Sequence, residues 1–441
     1  MRQMKDSGVE WIGEIPQNWK VRKIKYIFVQ RNENNLPIKT TDILSLTAKQ
    51  GVIPLSEKQG GGNKPKDDLT AYKLAYPGDI VINSMNILSG SVGISKYFGC
   101  VSPVYYMLRP INLNDDNRFY NYYFRTNEFQ KSLLGLGNGI MMKESENGKL
   151  NTIRMRIPMD KLGMQFAPIT DDNTQREISD YLDNKCTEID NAIAKTTDSI
   201  EEYKKLKQSI ITKAVTKGIR GNRPMKDSGI EWIGEIPSDW EICKVRHIGT
   251  LQNGISKGGE FFGSGFPFVS YGDVYRNISL PACVDGLVQS SSEEQKLYSV
   301  QEGDIFFTRT SETIEEVGFS SVCENDIPKA TFAGFLIRLR PNKNKIYSGF
   351  SKYYFRSSHH RSFLVKEMNL VTRASLGQSL LKSMFVLLPG MNEQYEIAEY
   401  LDSKCNEIDN IISRKQQLIT ELEAYKKSLI YEYVTGKKEV V

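Results

Sequence analysis

The sequence holds three histidines in 441 residues, and six cysteines (Cys100, Cys186, Cys243, Cys283, Cys323, Cys405) that never form a C-x-x-C pair. That scatter excludes zinc-ligand spacing and a disulfide framework, so reduced, mostly buried thiols are expected. No run approaches the roughly 18 apolar residues of a membrane span, and the opening Met1-Arg2-Gln3-Met4-Lys5-Asp6 has no apolar signal region. A soluble, cytoplasmic protein is expected. Also missing are a G-x-x-x-x-G-K-[ST] phosphate loop, an Asn-Pro-Pro-aromatic adenine methyltransferase motif, and the Pro-Asp dipeptide that opens a common nuclease signature. Neither sign of charge dominates: 58 Lys and Arg against 53 Asp and Glu leave a net +5. So mild an excess fits a nucleic-acid partner without demanding one.

What the sequence does contain is a repeat. Residues 4–16, MKDSGVEWIGEIP, return as residues 225–237, MKDSGIEWIGEIP, with Val9 replaced by Ile230. A match of that density is a tandem duplication, and such a period governs the reading of everything else. The length predicts two domains plus connectors.

A second repeated element follows each globular half, at residues 175–218 and 394–436. Neither copy contains proline, and glycine stands only at the end, as Gly218 and Gly436, where a helix cap favours it. Each reads as one long helix, roughly 60 Å at about 1.5 Å per residue. Steps of four and three give Leu182, Cys186, Ile189, Ile193, Thr196, Ile200, Tyr203, Lys207, Ile210 and Ala214 in the first copy. The second gives Leu401, Cys405, Ile408, Ile412, Lys415, Ile419, Leu422, Lys426, Leu429 and Tyr433. Such spacing is a coiled-coil seam. Polar residues interrupt it in the same layers of both copies, Thr196 with Lys415 and Lys207 with Lys426, and so predict a defined partner and register.

Charge separates the parts. The first helix carries eight basic and eight acidic groups, whereas residues 28–170 hold seventeen and twelve, and residues 249–390 fifteen and thirteen. Positive charge therefore sits on the globular segments. These have diverged around a surviving frame: Pro77-Gly78-Asp79-Ile80-Val81 against Glu302-Gly303-Asp304-Ile305-Phe306, Leu108-Arg109-Pro110 against Leu339-Arg340-Pro341, and Tyr122-Tyr123-Phe124-Arg125 against Tyr353-Tyr354-Phe355-Arg356. Short β-rich runs (IVIN, SPVYYMLR, FPFVSY, DIFFTRT, AGFLIRLR) alternate with turns, and FYNYYFRTNEFQKSLL and FSKYYFRSSHHRSFLVKEM read as helical, with Tyr-Tyr-Phe-Arg as helix core. An α+β domain, twice, is predicted.

The MKDSGxEWIGEIPxxW opening, the Gly-Asp-Ile strand in each half, Pro389 to Gln394, and the EIxxYLDxKCxEID helix opening resemble the specificity subunit of type I restriction-modification systems, over essentially the whole chain. The first half departs at Pro168-Ile169-Thr170-Asp171-Asp172-Asn173-Thr174-Gln175, two residues longer and without the Glu-Gln pair. The resemblance implies two target recognition domains, residues 1–170 and 219–390, separated by two long antiparallel coiled-coil helices, 171–218 and 391–441, in a pseudo-twofold arrangement. It further implies a non-catalytic subunit that reads double-stranded DNA for two modification and two restriction subunits, each domain taking one half of a bipartite site. Because the domains differ, that site is expected to be asymmetric. S-adenosylmethionine, ATP and Mg are expected on the partner subunits and no cofactor or metal on this chain.

The residues support a non-catalytic reading. All three histidines (His247, His359, His360) lie in the second half, although a duplicated enzyme would repeat its catalytic groups. The repeated Asp183-x-Lys185 and Asp402-x-Lys404 patterns read as a solvated helix face rather than a nuclease, and His359-His360 as a loop-facing or DNA-facing pair. A coiled-coil scaffold with protein-binding domains is the alternative. Phosphate contacts need Lys, Arg and small polar donors on loops, and base edges favour Arg, Lys, Asn and Gln. In the first domain these criteria select Lys58, Lys64 and Lys66 of a glycine-rich loop, and Asn83, Ser84 and Asn86 leaving the Gly-Asp-Ile strand. In the second they select Lys257, Tyr271, Arg276, Thr308, Arg309 and Thr310.

Overall fold

The computed structural model describes residues 3–47, 50–58, 65–137, 156–311, 317–367 and 374–440. The chain forms two compact units, Met1–Thr196 with Gln417–Val441, and Thr197–Gln416. Two long helices, Asp172–Lys217 and Met391–Val434, each give one half to each unit.

In the first unit the repeated opening is a hairpin of Met4–Asp6 (β1) and Glu14–Pro16 (β2), paired Met4 to Pro16. Its turn is closed by the Asp6 carboxylate, which accepts the Gly8 amide at 3.0 Å. Ile12, Ile15 and Trp19 are buried beneath it. The hairpin sits on the end of the second long helix, where the Tyr431 hydroxyl donates to the Ile12 carbonyl at 3.2 Å. Gly436, at φ +71°, lies so near Pro16 and Trp19 that a Cβ there would approach the proline ring to 2.5 Å. Glycine ends this helix for a packing reason as well as for its left-handed conformation.

The core of the unit is an antiparallel sheet of Phe28–Arg31 (β3), Ile80–Asn83 (β4), Val92–Ile94 (β5) and Tyr105–Pro110 (β6), in the order β3-β6-β4-β5. Helix α1, Asn117–Phe124, begins at Asp116, whose side chain accepts the Arg118 amide, and buries Phe119, Tyr120, Tyr123 and Phe124. Alternation fails in β4, where all four residues are buried, because both faces of this central strand are covered.

The second unit repeats the plan. Met225–Asp227 (β7) pairs with Glu235–Pro237 (β8), and Gly218, at φ +74°, stands 3.4 Å from Trp240 as seen by an added Cβ. The sheet is Gly249–Asn253 (β9), Ile305–Thr308 (β10), Ser320–Val322 (β11) and Leu336–Pro341 (β12), in the corresponding order β9-β12-β10-β11. Between β9 and β10 this unit carries its own additions: a strand Phe262–Val269 and helix α2, Tyr271–Arg276, around a separate core that includes Phe268, Val274, Phe306 and Phe332. Helix α3, Ser348–Tyr354, occupies the place of α1 and buries Tyr353 and Tyr354. In both copies the aromatic residues of Tyr-Tyr-Phe-Arg pack into the core at the end of this helix while the half-buried arginine lies just past it, and the run read as helical over 350–368 is broken after α3 and resumes at Ser358.

Within each unit the two long-helix segments run antiparallel. Tyr181 packs on Tyr433 with centroids 4.5 Å apart, and Lys426 Nζ donates to Asp190 at 2.6 Å; in the other unit Lys207 Nζ donates to Asp409 at 2.6 Å. All ten seam positions of each helix are buried or half-buried, including Leu182, Ile189, Ile193, Ile200, Leu401, Ile408, Ile412 and Ile419. The repeated Asp-x-Lys carboxylates are spent on docking: Asp183 accepts the Tyr122 hydroxyl and Asp402 the Tyr353 hydroxyl, both at 2.7 Å.

The departure at the first domain-to-helix junction changes little. Gln175 donates to the Thr170 carbonyl and accepts the Asp116 amide; Gln394 donates to the Pro389 carbonyl and accepts the Tyr347 amide. One glutamine ties sheet, helix and junction together in each copy.

Candidate nucleic-acid interface

Of the residues selected from the sequence, Asn83, Ser84 and Asn86 end or follow β4 in the first unit, and Thr308, Arg309 and Thr310 end or follow β10 in the second, at one end of each four-stranded sheet. In the first unit β4 leaves there at Asn83, beside the start of β6 and the end of β3. Ser84 points inward: it is fully buried, its hydroxyl donates to the Val104 carbonyl at 2.6 Å and its own carbonyl accepts the Ile157 amide at 2.9 Å. Asn83 is also buried, its side-chain oxygen accepting the Met85 amide. These two are corrections, since their polar atoms are consumed in turning the chain. Asn86, three residues on, is exposed.

Two cations at this end escaped the sequence reading. Lys73 donates to the Tyr105 carbonyl at 3.1 Å, and burial together with the nearby Arg156 charge lowers its pKa. Arg156 itself is exposed. Lys73 lay in an ordinary alternating run, Tyr72-Lys73-Leu74, and Arg156 stands 46 residues past the end of β6, so only folding brings them together. Of the basic loop, Lys58 is half-buried, Lys66 is exposed, and Lys64 lies outside the described residues.

In the second unit Thr308 is the counterpart of Asn83 and is likewise internal: it is fully buried, and its hydroxyl accepts the Phe319 amide at 2.9 Å. Arg309 is held through its backbone, its amide donating to the Phe335 carbonyl at 2.9 Å and its carbonyl accepting the Leu376 amide at 2.7 Å, while the side chain stays half-exposed. Thr310 continues into a two-residue pairing with Ser375. Phe335, 65% exposed, stands beside Arg309. Lys257 is a further correction: it donates to Glu294 at 2.8 Å and to the Gln289 carbonyl at 2.6 Å, and so clamps the added layer. That bond holds the Glu294 carboxyl below its ordinary range. Tyr271 opens α2 after the Ser270 capping box and Arg276 closes it, exposed. His360 is not surface-facing either: it is buried, parallel to Phe307 at 5.9 Å and edge-on to Phe355. Burial and Lys217 push the His359 pKa down.

The first end thus holds exposed Asn86 and Arg156, and the second holds exposed Arg276 and half-exposed Arg309, donors of the kind that read base edges. Ser84 and Arg309 share one backbone connection, each carbonyl accepting an amide, from Ile157 in one unit and from Leu376 in the other; where the Arg309 amide donates to the Phe335 carbonyl, the Ser84 hydroxyl donates to the Val104 carbonyl. The frame is shared and the side chains differ.

Residues 237–424 match the model of the type I restriction modification DNA specificity domain. The chain is similar over 97% of its length to the putative type I restriction enzyme MjaX specificity subunit of Methanocaldococcus jannaschii, at 23% identity and 96% coverage of that protein. It is 22% identical to the EcoKI specificity subunit of Escherichia coli, covering 80% of this chain and 75% of that one. Residues 237–424 thus carry the type I restriction modification DNA specificity domain, and the chain as a whole is similar to type I specificity subunits. Its fold agrees with that placement. A structure solved to explain complex assembly and conformational transition of a type I system superposes with a TM-score of 0.73, at 12% identity over 96% of this chain and 99% of that one. The HsdS subunit from Thermoanaerobacter tengcongensis superposes at 0.56, at 13% identity over 96% and 98%. Among the described residues, no helix of the chain is long and apolar enough to cross a membrane.

Proposed function

We infer that this chain is the non-catalytic DNA reader of a type I complex, each compact unit taking one half of an asymmetric bipartite site. The observation that carries the reading is the repeated sheet end, where a backbone connection is kept between the copies and the outward residues are not. Asn86 and Arg156 belong to one end, Arg276 and Arg309 to the other. Lys66 is suited to a phosphate contact. The paired helices set the gap between the half-sites. DNA, two modification subunits and two restriction subunits are the partners, in the cytoplasm, with S-adenosylmethionine, ATP and Mg held by those subunits. This chain directs where methylation and cleavage occur.

Methylation-sensitive sequencing of DNA treated with this chain and its modification subunits is expected to return one two-part, asymmetric sequence. Random or absent methylation would sink the reading. Mobility shifts at several salt concentrations separate it from a protein-binding scaffold, because log affinity falls by about 0.9 per phosphate contact with each decade of salt.

A further inference from the structure

Arg356 closes the shared Tyr-Tyr-Phe-Arg element but does its work elsewhere. Its guanidinium donates to four backbone carbonyls: Ser320 at 2.6 Å, Val274 at 2.8 Å, Asn277 at 2.8 Å and Tyr275 at 3.2 Å. Val274 and Tyr275 lie in the last turn of α2, where carbonyls have no partner within a helix. Ser320 opens β11. One rigid fork therefore fastens the end of α2 to the sheet across about eighty residues of sequence. The guanidinium also lies 5.0 Å from the Phe319 ring centre; Phe319 is 5.3 Å from Tyr275, and Tyr275 is stacked 5.9 Å from Tyr271. A continuous stack runs from Arg356 to the half-exposed Tyr271.

The position of that end matters. Residues 278–280 run beside β11, with the Val322 amide donating to Ile278 and the Leu280 amide to Val322. Arg276 consequently enters at the start of β11, the sheet end where Arg309 leaves β10. Among the described residues of the first unit no α-helix lies between β3 and β4, so Arg125, the sequence counterpart, has no equivalent helix end to hold.

We propose that Arg356 is a positioning residue for sequence readout: it fixes α2 so that Arg276 reads base edges of one half-site. This rests on the DNA-reading function above. Loss of the fork removes its bonds to three carbonyls at the end of α2 and loosens the helix, which moves a side chain whose hydrogen bonds tolerate little displacement. With its guanidinium turned onto four backbone carbonyls and against the Phe319 ring, Arg356 acts through α2 and not by touching DNA.

The test uses the full chain with its modification subunits and reads the methylated sequence for wild type, Arg356→Met, Arg356→Lys and Arg276→Ala. Expected is a loss of about tenfold or more in discrimination at one or more positions of one half-site, with the other half-site and the gap unchanged. Lysine is expected not to rescue, because it keeps the charge without the fork. A uniform slowing of methylation at unchanged sequence, relaxation of both half-sites, or an Arg276→Ala variant with intact preference overturns the proposal. Should Arg356→Met fail to fold, Arg356→Lys and Arg276→Ala decide. Absence of a two-part sequence with wild type refutes the function itself, whereas an intact wild-type pattern with unaltered variants refutes only the role of Arg356.

Discussion

Asp79 and Asp304 occupy the same turn, before the same isoleucine, and are both buried, yet they hold different arginines. Asp79 accepts Arg31 from β3 at 2.8 Å and the Tyr76 amide; Asp304 accepts Arg340 from β12 at 2.6 and 2.5 Å and the Gln301 amide. The residue across from Arg31 in the other copy is Gln252, and the residue matching Arg340 is the exposed Arg109. The carboxylate is kept while its partner has moved one strand, because a buried carboxylate must be paired but any neighbouring strand can supply the cation. Removing it strands Arg340 beside the buried, desolvated Arg338. Asp304→Ala is expected to cost about 3 to 5 kcal/mol in urea unfolding, and a loss below about 1 kcal/mol would contradict this account. The same scale explains the sequence misreadings. Ser84 and Thr308 looked like exits toward solvent, because nothing local reveals that Val104 and Phe319 will close over them.

At the scale of the element, the seam was legible because a helix repeats its contacts every few residues, so the pattern lies entirely within the segment that carries it. The polar layers were legible as interruptions; their partners were not. Lys207 reaches Asp409 and Lys426 reaches Asp190, the same pair by repeat position. With both carboxylates more than half exposed, each pair adds little stability but marks one antiparallel alignment. Lys207→Glu is expected to destabilise by roughly 1 kcal/mol through like-charge contact, and Asp409→Lys to restore most of it. A double-mutant cycle by thermal unfolding measures this, and zero coupling would remove the pair from the register argument.

For the whole molecule, the spacing role leads to a separate expectation. One heptad added to both long helices, near Ile200 and at the matching position Ile419, lengthens the helix pair by roughly 10 Å, about three base pairs of rise. Sequencing of methylated DNA is expected to show a longer unspecified gap, or no recognition where the rotational phase is lost, with any surviving half-sites unchanged in sequence. An altered half-site would contradict the division of labour between globular units and helices.

The sequence by itself determined the duplication, the two long helices with their seam and polar layers, and the burial of the Tyr-Tyr-Phe-Arg helices. All of these are written in short-range periodicity or in outright repetition. Only the tertiary structure decided which residues at the sheet ends face outward, that Lys257 is a clamp, that Lys73 and Arg156 join the first end, and that Arg356 holds α2 from eighty residues away. Those outcomes depend on loops meeting across long sequence separations, and pairings of that kind leave no local pattern to read.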